Sequence, residues 1–173
     1  MDRETILAVA ETQFFHKEFQ SVKLESVAAE LWIKKPSLYY YFDSKRSLFE
    51  ESVKYSLKKY LVKMREVLAT QDLFDIIHWY LAFPSGSHNL YAITAQHGRD
   101  VSNETAHVMS SGRQVIETEL TRYLKEYGLD EVQVFCIINL LDKLAMDNCT
   151  EGYCLEYSVT DLTEAIEELI EKK

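Results

Sequence analysis

The sequence predicts an all-α fold in two parts, and three observations carry that prediction. Apolar residues recur at three- and four-residue spacing along most of the chain, the 173 residues include only five glycines and two prolines, and no segment alternates as a strand would. The length allows a small N-terminal module and a larger helical part with its own core, and no internal repeat divides it further.

Ile6, Val9, Ala10 and Phe14 mark a first helix, and Leu24, Val27, Ala28 and Leu31 stripe a second, shorter one. Trp32-Ile33-Lys34-Lys35 follows as a turn of about four residues, short enough to set two helices at a steep angle. Pro36 suits a first turn and not a helix interior, so a third helix starts just after the lysines. On it Leu38 with Tyr41 or Phe42 falls inward, while Lys35, Ser37, Tyr39 and Tyr40 spread over the outer face. Cation, hydroxyl and phenol together suit a polyanion. An aromatic core helix with solvated lysines would use the same residues, and the helix and turn in front of it favour a DNA-reading helix-turn-helix.

Ser44 opens a long helix to about Ala69, striped by Leu48, Phe49, Val53, Leu57, Tyr60, Leu61, Met64 and Leu68. Asp72 caps a helix to Phe83, Ser87 one to Gly98, and Ser102 one to Tyr127, ended by Gly128. Asp130 opens an apolar stretch to Met146, and Ser158-Val159-Thr160-Asp161 is a capping box before a last helix to Ile170, which makes about nine helices.

The segment from Ile6 to Leu48 resembles the TetR family of transcriptional regulators. Ile6, Ala10 and Phe14 match its first helix, Phe19 its aromatic after the turn, and Val27-Ala28 its Ile-Ala pair; Leu38-Tyr39-Tyr40-Tyr41-Phe42 matches its Leu-Tyr-x-x-Phe run, and Lys45 with Leu48 its Lys-x-x-Leu. The family usually has glycine where this chain has Glu18, Trp32 and Pro36, and a Ser or Thr cap where it has Lys23, unless Ser21 caps instead. A turn position that requires positive φ tolerates Trp32 poorly.

The resemblance implies a helix-turn-helix DNA-binding domain over residues 1–46 and a helical ligand-binding and dimerisation domain over 47–173. It implies a homodimer on a palindromic operator, modulated by a small-molecule effector. In this scheme Tyr39, Tyr40 and Lys45 hold phosphates, Lys45 aided by the adjoining helix N-terminus, while Lys34, Lys35 and Ser37 reach groove edges; Lys23 joins the same face. The stretch from Val132 is apolar on more than one side. Ile137, Leu141 and Leu144 with Leu162, Ile166 and Leu169 are therefore expected at the dimer seam, although they would equally complete a monomer's core. Trp79, Tyr80, Phe83, Tyr91 and His97 are expected to line an effector pocket, and a plain helical core is the alternative.

Through Tyr60 the chain has ten Lys or Arg against nine Asp or Glu, a net of +1; the remainder has nine against nineteen, a net of −10, which gives −9 for the whole. DNA contact must then concentrate on the one patch that escapes the acidity. Three cysteines without a CxxC pair suggest no disulfide framework; Cys136 is expected in the core, with Cys149 and Cys154 as ordinary thiols. The charged start of the chain resembles no signal peptide, and no run is apolar enough to span a bilayer, so the expectation is a cytoplasmic protein with no membrane partner. No metal or cofactor is expected, because the five histidines form no helical pair and no phosphate-cradling or dinucleotide-binding glycine motif occurs. No Gly-x-Ser-x-Gly or Cys-His signature argues for an enzyme. The alternative function is an interaction module that kept the helix-turn-helix shape and lost specific DNA binding.

Overall fold

The structure, a computed structural model, describes residues 2–70, 72–82, 102–147 and 158–171. Among them are eight α-helices and no strand: α1 (Arg3–Phe15), α2 (Leu24–Glu30), α3 (Lys35–Tyr39), α4 (Lys45–Thr70), α5 (Leu73–Ala82), α6 (Asn103–Glu126), α7 (Glu131–Asp147) and α8 (Val159–Glu171). A single 3-10 turn, Phe19–Ser21, lies between α1 and α2. The helix expected from Ser87 to Gly98 lies outside the described residues.

The chain divides into two compact units. One joins residues 1–60 to 87–110, and the other joins 61–86 to 111–173. The boundary expected at 46/47 lies at the start of α4, whereas packing keeps α4 in the first unit through Tyr60.

The first unit is built on the stripes that periodicity marked. Ile6, Ala10 and Phe14 of α1, Val27 and Ala28 of α2, Leu38 of α3, and Leu48, Phe49 and Val53 of α4 are all buried. Phe14 stacks on Phe19 at 5.9 Å, and Phe49 meets both rings edge-on at 5.2 and 5.3 Å. Truncating such a ring typically costs about 3–5 kcal/mol. Asp2 caps α1 by accepting the Thr5 N–H at 2.8 Å, and the Ser44 hydroxyl accepts the Ser47 N–H at the start of α4. The buried carboxylate of Glu11 pairs with Lys59 at 2.8 Å, linking α1 to α4.

The helix ends follow local rules with one exception. α2 closes in a Schellman motif, in which Ile33 N–H donates to the Ala28 carbonyl and Trp32 N–H to that of Ala29. The residue at its left-handed position is Trp32, at φ +57°. The same motif closes α6, where Leu129 and Gly128 donate to Leu124 and Lys125, and there the left-handed residue is glycine, at φ +98°. A side chain in this conformation costs about 1–2 kcal/mol. Of the three positions where glycine was expected, only Trp32 carries that strain: Glu18 has φ −54°, and Pro36 sits inside the first turn of α3.

In the second unit α5 packs on α7 and α8. Leu73, Ile76, Ile77 and Leu81 meet a core that includes Leu120, Leu124, Val134, Ile137, Leu141 and Ile166. Asp72 caps α5, Asp130 caps α7 through the Val132 and Gln133 N–H groups, and Ser158 with Asp161 forms the expected capping box of α8.

The two sides of α7 differ, and one expectation is corrected there. Ile137, Leu141 and Ile166 are buried within the single chain, because the side of α7 that turns toward α5 is the one carrying Ile137 and Leu141. The outward side carries Val132 and Phe135, 72% and 67% exposed, together with Leu140. Cys136 stands on that outward side rather than in the core. Leu144 and Leu162 are half-buried, and the side chain of Leu169 lies outside the described residues, as do Cys149 and Cys154.

Candidate nucleic-acid interface

The helix α3 is five residues long and begins at Lys35, one residue before Pro36, with Lys34 as its N-cap. Leu38 and, just beyond the helix, Phe42 anchor it by burial. Their burial fixes which side is left for a partner. Lys34, Pro36, Ser37, Tyr39 and Tyr40 are exposed, Tyr40 to 85%. Lys34 forms no ion pair among the described residues, whereas Lys35 does: its ammonium lies 2.8 Å from Glu25 Oε1 in the first turn of α2. Their hydrogen bond favours the charged form of each partner, so the lysine is held above its ordinary pKa and the carboxyl below its own.

Lys23 is exposed as the N-cap of α2 and makes no capping bond. Ser21 belongs to the 3-10 turn, and α2 begins only at Leu24, so the alternative Ser21 cap is not formed. Lys45 is half-buried; its ammonium donates to the Gln20 carbonyl at 3.2 Å and lies 4.6 Å from the centre of the Phe19 ring. The expected phosphate ligand is thus engaged within the fold, where it ties the start of α4 to the turn before α2.

Arg3, which belongs to no motif of the sequence, also bears on this region. Its guanidinium donates to the Tyr41 carbonyl at 2.7 Å and to Glu51, and it lies 4.5 Å from the centre of the Phe42 ring. It therefore fastens the C-terminal end of the reading segment to α1 and α4. The sequence signal is weak, because the partners stand 38 and 48 residues away.

Of the expected effector-pocket residues, Trp79 and Tyr80 are among the described residues. Trp79 is half-buried, and Phe83, Tyr91 and His97 lie outside the described residues. Tyr80 is buried, and its hydroxyl donates to Asp142 at 2.6 Å, with Arg113 bound to the other carboxylate oxygen at 2.6 Å. Asp142 also borders an open groove of about 330 Å³ along α6 and α7, lined further by Glu117, Thr121, Lys125, Phe135 and Ile138. No group of three or more metal-holding side chains occurs among the described residues, and none of the described helices is long and apolar enough to cross a membrane.

Comparison with known proteins agrees with this geometry. Residues 6–52 match the family described as bacterial regulatory proteins, tetR family. The biofilm operon icaADBC HTH-type negative transcriptional regulator IcaR of Staphylococcus aureus (strain Newman) is 44% identical over 52 residues, 30% of this chain and 28% of that protein. The match therefore spans under a third of the curated relative. Among solved structures, reduced E. coli NemR is similar with a TM-score of 0.79 at 17% identity, over 97% of this chain and 96% of that one. FadR from Bacillus subtilis in complex with stearoyl-CoA is similar with a TM-score of 0.70 at 16% identity, over 98% and 97%. The N-terminal segment thus matches the tetR family over residues 6–52, and along its length the chain shares the all-α fold of these solved structures.

Proposed function

We propose that this protein is a transcriptional regulator that reads a near-palindromic DNA operator as a homodimer, and that a small-molecule effector bound in its second unit changes that affinity. The observation that carries this reading is the presentation of Lys34, Ser37, Tyr39 and Tyr40 on the open side of α3, with Leu38 and Phe42 buried beneath. Lys34 and Ser37, at the helix start, face groove edges, while the phenols of Tyr39 and Tyr40 meet phosphate oxygens. Lys35 joins them when a phosphate replaces Glu25. Lys23 and Lys45 complete the charge.

A five-residue reading helix binds weakly alone, and a second copy supplies the second half-site. The outward side of α7, with Val132, Phe135 and Leu140, is the surface we assign to that pairing. Contiguous exposed apolar side chains of this size mark interaction sites. Effector control draws support from FadR, whose structure holds stearoyl-CoA. The coupling is reciprocal, so an effector that loosens DNA is itself bound less tightly by the DNA-bound protein. No catalysis enters this function, and its action on DNA places the protein in the cytoplasm. The test is enrichment of duplexes from a random pool by the purified full-length protein, followed by sequencing. Enrichment of one sequence class supports the reading, and recovery of an unselected pool contradicts it.

A further inference from the structure

We propose that Trp32 is a further DNA-contacting residue, which lays its indole against the duplex beside the bases that α3 reads. The proposal rests on the duplex-binding function above. Trp32 occupies the left-handed position of the Schellman motif that ends α2, and the equivalent position at the end of α6 is filled by Gly128. The turn therefore has no use for a side chain at this point, and both backbone bonds form from main-chain atoms. Packing within the chain does not retain the indole either, since Trp32 is 95% exposed. A large amphipathic ring that is strained in its backbone and unburied in its own fold gains its burial from a partner.

The position of Trp32 identifies the partner. It precedes Lys34, the N-cap of α3, by two residues, so their Cα atoms are at most about 7 Å apart. The N-terminal end of a recognition helix is the end that meets base edges, and here Lys34 and Lys35 add positive charge on the other side of Ile33. An indole beside them meets sugar edges and thymine methyls, the apolar surfaces a duplex offers. The contact adds affinity and a preference at the base pairs next to those read by α3.

The test uses full-length protein and duplexes that the wild type enriches from a random pool. Trp32→Gly frees the turn from its strain, so its Tm should rise by about 2–4 °C, while its affinity for the enriched duplex should fall about tenfold through loss of the buried ring. Trp32→Asn, which tolerates the left-handed backbone, should lose affinity to a similar extent, and Trp32→Phe at most about threefold. A purely structural Trp32 would move stability and affinity in the same direction. In the wild type, saturating duplex should shield tryptophan emission from acrylamide, and in Trp32→Gly the remaining Trp79 emission should show no such shielding. Wild-type affinity in both the Gly and Asn variants, or unchanged quenching in a wild type that demonstrably binds, overturns the role of Trp32 and leaves duplex binding standing. Failure of the wild type to enrich any duplex overturns duplex binding itself, and this proposal falls with it.

Discussion

Lys35 reaches back across the helix-turn-helix turn to place its ammonium 2.8 Å from Glu25 Oε1. The reading helix thus holds one of its own cations in an internal pair. An exposed pair of this kind contributes little to stability, but it competes directly with a phosphate. Glu25→Gln should release Lys35, strengthen duplex binding severalfold at low salt, and steepen the salt dependence by about 0.9 in log K against log salt. A titration of labelled duplex at several salt concentrations checks this. An unaltered slope would mean that Lys35 does not reach the backbone.

Lys45 has two roles to separate, since it bonds Gln20 and covers Phe19 within the fold. If it also meets a phosphate, Lys45→Ala should weaken all sequences alike and lower the salt slope by about one, with a loss of stability of at most about 1 kcal/mol from the exposed side of the cation–ring contact. A lower Tm with an unchanged slope would confine Lys45 to the fold.

The buried Asp142 accepts from Tyr80 and Arg113, joining α5, α6 and α7 through one carboxylate. Removing either donor leaves charge short of partners in a dry setting. Tyr80→Phe should cost about 1–3 kcal/mol in urea unfolding, and Arg113→Leu no more than that, because the arginine side of the pair is half exposed. Equal stability of Tyr80→Phe and wild type would show that water replaces the phenol, and that the site is open enough to admit it.

The two sides of α7 predict opposite outcomes for two similar substitutions. Phe135→Glu, on the exposed side, should give a folded monomer by light scattering, while Leu141→Glu, buried in the chain's own core, should unfold the protein instead. A Phe135→Glu variant that stays dimeric would move the seam elsewhere.

Asp2 is held below its ordinary carboxylate value of 3.8, chiefly by the Thr5 backbone N–H it accepts and then by the Thr5 hydroxyl. Its folded pKa lies under its unfolded one, so its stabilising effect is complete above the ordinary carboxylate range and is lost as pH falls through the lowered value. Asp2→Asn caps as well without titrating. The stability of wild type relative to Asp2→Asn should therefore fall steadily as pH drops from 5 toward 2. A constant difference would show that the cap bond is not formed in solution.

Much of the first unit was legible in the sequence, since its stripes are local and its caps are one-residue signals. Leu38 falls inward as its spacing implies, packing chooses Phe42 over Tyr41 as its companion, and the positive φ at Trp32 was readable from the glycine that the family places there. Contacts across long separations were not legible. Arg3 meets Tyr41 and Glu51 only after α1, α3 and α4 have packed, and nothing in their spacing announces it. The orientation of α7 was undetermined for a different reason. Both Ile137–Leu141 and Phe135–Leu140 lie on apolar sides, and only packing against α5 decides which turns inward.

Sequence-specific duplex recognition by α3 stands or falls on selection from a random duplex pool by wild type and by Lys34→Ala, read by sequencing. The wild type should enrich a near-palindrome whose half-sites are centred about 34–36 Å apart or a multiple of that, and Lys34→Ala should lose or relax the preference at one position in each half. An unenriched pool from a folded wild type, or an identical motif from Lys34→Ala, would contradict the account; the first result would favour a helix-turn-helix that serves protein interaction instead.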